Sequence, residues 1–87
     1  MGDDMDRSSR GKQPVQNNLR YYRVKLGVTQ QEMEWRTGLS KNNWHHYENG
    51  REPGIKLVQV FAKVFNQIAE EKDIAIKKLS SDDLYPP

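Results

Sequence analysis

Eighty-seven residues allow one domain at most. With 34% hydrophobic residues and a mean hydropathy of −1.00, the chain can bury a core only if its apolar residues are concentrated in one stretch. There is no cysteine, which excludes disulfides and thiolate metal sites and fits a reducing, cytoplasmic setting. No apolar run approaches the roughly 18 residues of a membrane span, there is no signal-peptide core, and Asp6 stands where a myristoylation signal needs Ser or Thr.

The net charge of +2 is unevenly spread. Residues 15–67 carry eight basic and four acidic groups, and residues 68–87 carry three and five. Positive charge therefore sits on the same stretch as most of the apolar residues, and a basic folded core suits a polyanionic partner.

In chain order, residues 1–14 have only methionines as apolar residues and no periodicity, and they read as a disordered tail. Val15, Leu19, Tyr22 and Leu26 fall at i, i+4, i+7 and i+11, a helical stripe that ends at Gly27. Thr29 and Glu32 form a capping-box pattern that starts a second helix, and Gly38 stops it after Thr37. Ser40 is a good N-cap for a third, which Gly50 closes with Pro53 just beyond. The spacing thus predicts two helices of about eight residues joined by a turn of three or four.

Leu57, Val58, Phe61, Val64, Phe65 and Ile68 keep strict helical spacing, with Val60 beside them, and predict a fourth helix over 55–70 as the floor of the core. The segment "EEKD" at 70–73 reads as a solvated break, and residues 74–79 show no clear element. Ser80 and "DDLY" predict a short last helix with acids in its first turn. The organisation expected is a tail over 1–14, one domain over 15–85 with its two central helices at about 30–49, and a tail over 86–87.

The third helix is both aromatic and polar. At 100° per residue, Tyr47, Glu48, Ser40 and Lys41 lie within about 60° of Trp44, while Asn42, His45, His46 and Asn49 lie about 100–200° away. So short a helix needs anchors, and Trp44 and Tyr47 supply them. Its other face offers amide and imidazole groups suited to the DNA major groove, where Asn pairs with adenine and Lys reaches guanine acceptors. The backbone amides of Gln30 and Gln31, at the start of the second helix, can meet one phosphate, and Asn49 and Arg51 another.

The run "NLRYYRVKLGVTQQEMEWRTGLSKNNWHHYENGREP" resembles the lambda-repressor/Cro-like (XRE-type) helix-turn-helix family, through N-L-R-x-x-R-x-x-x-G-x-T-Q-x-E, then G-x-S, then Y-E-N-G-R-x-P. The resemblance covers about residues 15–68. It implies a compact, all-α, five-helix domain with the helix at about 41–48 in the major groove. Carried over by position, Ser40, Lys41, Asn42 and His46 would face bases, and Gln30, Asn43, Asn49 and Arg51 phosphates. Arg23 and Glu48 match an ion pair joining the first helix to the third. Two residues depart from the family pattern. Glu34 stands where a small residue, usually Ala, lets the helices pack closely. Trp44 stands where Ile or Val is usual, and this larger anchor would make room for the Glu34 stem.

The function expected is sequence-specific binding of double-stranded DNA by a transcriptional regulator, read as a repressor and a homodimer that pairs through its last helices. The rival reading is an antitoxin or adaptor module that binds a protein. No catalytic set is present. His45 and His46 point about 100° apart with no third ligand at i+4, which argues against a metal. No cofactor, small-molecule substrate or membrane partner is expected.

Overall fold

The computed structural model describes residues 14–87, so the tail expected over 1–14 lies outside the described residues except for Pro14. Five helices and no strand are present among them: α1 (Leu19–Leu26), α2 (Gln30–Thr37), α3 (Asn43–Glu48), α4 (Ile55–Glu71) and α5 (Ser81–Leu84). The architecture is all-α, as the periodicity predicts.

α4 is the floor of the core. Its Val58, Phe61, Ala62, Val64, Phe65, Ile68 and Ala69 are buried, a stripe at helical spacing over 17 residues. α1, α2 and α5 pack on it, and α3 packs on α2 and α1. Leu19 and Leu26 of α1, Met33 of α2, Trp44 of α3 and Leu84 of α5 converge there, each fully buried.

α1 begins at Leu19, four residues later than the Val15 stripe predicts. Residues 15–18 instead form a strap whose polar groups bond elsewhere in the chain. Val15 N–H donates to Gly50 O at 2.9 Å, Asn18 N–H to Leu84 O at 2.8 Å, and the Asn18 side chain to Asp83 O at 2.9 Å. Asn17 donates to Tyr47 O and accepts from Leu19 N–H. Asn side chains that satisfy backbone groups in this way compete with helix formation, so the "QNN" run fastens the ends of α3 and α5 rather than extending α1.

The capping box at α2 is half made. Thr29 Oγ1 accepts from Glu32 N–H at 3.0 Å, but the Glu32 carboxylate turns to Arg36 at 2.9 Å, and Arg36 continues to Glu71 of α4 at 2.8 Å. Gly38 closes α2 in the left-handed conformation, with φ of 77°. The break after α4 also carries structure. Lys72 Nζ donates there to the last carbonyls of α1, Leu26 O at 2.9 Å and Gly27 O at 3.2 Å. The unassigned stretch 74–79 has no regular structure, yet Leu79 is buried. The Asn66 side chain brackets it, accepting from Leu79 N–H at 2.8 Å and donating to Leu79 O at 2.9 Å. At α5 the Asp83 carboxylate accepts from Ser80 N–H at 2.8 Å and pairs with Lys77 at 2.7 Å.

Candidate nucleic-acid interface

α3 is short because of its first residues. Ser40 does not cap it, and the helix does not begin at 41. Asn42 is left-handed, with φ of 71°, and Asn43 N–H donates to Ser40 O at 3.1 Å, so residues 40–42 form a turn and the helix starts at Asn43. Asn tolerates this conformation better than most residues. The connection between α2 and α3 is thus five residues, 38–42, longer than the three or four expected.

The missing cap comes from α2. Glu34 is 8% exposed, and its carboxylate accepts from the backbone N–H of Trp44 at 3.1 Å. A carboxylate at the first turn of a helix satisfies an orphan donor and opposes the helix dipole. Glu34 is therefore housed between the two helices, where the resemblance implies Ala. The sequence marked Glu34 only as a departure from the family pattern; its partner follows from burial, since a buried carboxylate must find donors.

Trp44 is 0% exposed. Its ring packs edge-on against Phe61 at 4.8 Å and Phe65 at 5.8 Å between centroids, and Tyr47 stands 5.6 Å from Phe61. A tryptophan buries about 150–250 Å², roughly 4–6 kcal/mol at 25 cal/mol/Å² as an upper bound. That exceeds what a six-residue helix gains from its own hydrogen bonds and explains how so short a helix persists.

Glu48 closes the anchor. It pairs with Arg23 through Nε and, at 3.3 Å, Nη2, as the resemblance implies. Trp44 Nε1–H donates to it at 2.6 Å and the Gln30 side-chain amide at 2.9 Å. Arg23 also donates to Val28 O at 3.1 Å, which ties in the loop before α2. Burial acts to raise the Glu48 pKa, but the hydrogen bonds from Arg23, Gln30 and Trp44 together outweigh it and hold the carboxyl below its ordinary range.

The outward side collects most of the residues singled out from the sequence. Ser40, Lys41, Asn42 and His46 are exposed, and their side chains make no hydrogen bond among the described residues. Arg51 donates to Asn43 Oδ1 at 2.8 Å and lies over the Tyr47 ring at 5.4 Å. Gln30 is half-buried with its side-chain amide on Glu48, which leaves its backbone amide as the group available at the start of α2. Asn49 folds back on α3, and its amide nitrogen donates to His45 O at 2.7 Å. No group of three or more potential metal ligands gathers among the described residues.

Two helices joined by a five-residue connection, the second anchored by aromatics and displaying polar side chains, form a helix-turn-helix arrangement. The helix-turn-helix domain family matches residues 17–81, three-quarters of the chain. The chain belongs to that family, of the XRE type. Neither the curated proteins nor the solved structures give a match.

Proposed function

We propose that this chain is a sequence-specific regulator of transcription, acting as a repressor, that lays α3 in the major groove of double-stranded DNA. One observation carries the reading. Across residues 38–51 the only acidic side chain, Glu48, is turned inward onto Arg23, so the charge this segment presents to solvent is the cationic Lys41 and Arg51 among amides and imidazoles. A face cleared of acidic charge in this way suits a polyanion.

In this reading Lys41, Asn42 and His46 meet base edges, with Ser40 at the groove margin. The Gln30 backbone amide, Asn43 and Arg51 meet phosphates. The turn at 40–42 puts Lys41 and Asn42 ahead of the helix, where its N-terminal end enters the groove. A single short helix reads few base pairs, so the active form is a homodimer on half-sites about 34 Å apart, in the cytoplasm.

Titration of duplex DNA at two salt concentrations tests this. Binding should weaken steeply with salt, by about 10³–10⁵ between 50 and 200 mM if six to ten phosphates are met. Binding that stays flat with salt, or no binding, defeats the proposal. The rival protein-binding module draws support from Trp35, which is 79% exposed on α2, and from exposed Tyr21 and Val24 on α1. It predicts association insensitive to salt.

A further inference from the structure

Within α3 the exposed residues are His45 and His46 alone; Trp44 is buried, and Asn43, Tyr47 and Glu48 are partly covered. If this helix meets DNA, both imidazoles are open to it. Carrying roles over by family position provides for His46 and leaves His45 out. His45 is moreover a held side chain. Asn49, one turn on, donates to His45 O at 2.7 Å, and the same amide nitrogen stands 3.3 Å from Nδ1 and 3.5 Å from Nε2 of the ring. On its other side the ring meets His46 edge to face, with centroids 5.6 Å apart and planes at 64°. The donors of Asn49 are thus directed at His45, which leaves its side chain little to offer a phosphate.

We propose, on the DNA-binding reading above, that His45 is a further base-reading residue and that Asn49 is its positioning residue. A neutral imidazole carries one N–H donor and one acceptor. The major-groove acceptor that both purines share is N7, so the class of contact is a ring N–H to a purine. The separation of the two rings is between one and two base-pair steps of about 3.4 Å, so His45 and His46 address neighbouring base pairs.

The experiment is selection from a randomised duplex library by the full chain and by His45→Ala, His46→Ala, Asn49→Ala and the His45→Ala/Asn49→Ala double variant. All the positions changed carry side chains on the outward side of α3, and circular dichroism checks that α-helix content is kept. The unaltered chain should enrich a motif. His45→Ala should lose about 5- to 150-fold of preference at one base pair adjacent to the pair lost in His46→Ala. Asn49→Ala should relax that same pair, and the double variant should lose no more than His45→Ala alone. A His45→Ala protein that keeps its preference at every pair overturns the reading role. Uniform weakening of all sequences by Asn49→Ala makes Asn49 a phosphate contact and overturns the positioning role. An unaltered chain that enriches no motif overturns the DNA reading itself, and the inference with it.

Discussion

Four N–H donors from three residues converge on the Glu48 carboxylate, and they couple pH to the seat of α3. The folded-state pKa is depressed. The stabilisation is therefore fully present above the unfolded value of about 4.3 and is lost as pH falls through the lower folded value. Denaturant midpoints measured from pH 7 downward should hold steady to about pH 5 and then fall. Glu48→Gln should flatten the acid limb and cost about 2–4 kcal/mol at pH 7, because Arg23 is left charged and half-buried without its partner. An acid limb unchanged in Glu48→Gln would assign the pH dependence to other carboxylates.

At the scale of the element, α3 depends on groups outside itself. Its N-cap residue is left-handed and makes no side-chain cap bond, so the Glu34 carboxylate is what satisfies Trp44 N–H. Glu34→Ala restores the residue usual in the family yet should destabilise this chain by about 1–2 kcal/mol, the usual range for a lost cap. Glu34→Gln, which keeps an acceptor oxygen, should lose less. Amide hydrogen exchange at Trp44 is the direct measurement: it should accelerate in Glu34→Ala, and unchanged protection would mean that the anchors alone hold the helix end. The helices themselves were legible from spacing. α2 and α4 follow from Thr29, Gly38 and the apolar stripe of 57–68. The start of α3 was not legible, because Ser40 is as good a local cap as any; the left-handed Asn42 moves the start to Asn43, and the carboxylate that then serves Trp44 N–H lies ten residues upstream, where only packing brings it near.

On the scale of the whole molecule, the chain is closed by the strap of residues 15–18 with Pro14 before it, which runs from the end of α3 to α5. Gly50 is its seat. Its φ is 113°, and a Cβ added there would stand 2.5 Å from Pro14 Cβ and 2.8 Å from Pro14 Cα. Gly50→Ala should therefore both strain the backbone and unseat the strap, costing about 1–3 kcal/mol. For a domain of this size the thermal midpoint should drop by about 4–8 °C per kcal/mol. Exchange at Val15 N–H, which bonds Gly50 O, should rise in parallel. A midpoint unchanged from the parent's would show the strap to be dispensable.

Local periodicity and capping residues determined the number of helices, the apolar floor and the aromatic anchor. Each of these depends on residues within a turn or two of one another, and hydrophobic spacing survives into any packing that buries the stripe. The resemblance added the Arg23–Glu48 pair, and the angular position of Glu48 beside Trp44 agreed with it. Tertiary structure decided the polar partners: Glu34 with Trp44 N–H, Gln30 with Glu48, Lys72 with the end of α1, Asn66 with Leu79, and Asn18 with α5. These side chains can bond water equally well in an open chain. Their choice of partner is made only when burial removes the water and leaves one acceptor or donor within reach, often across tens of residues of sequence.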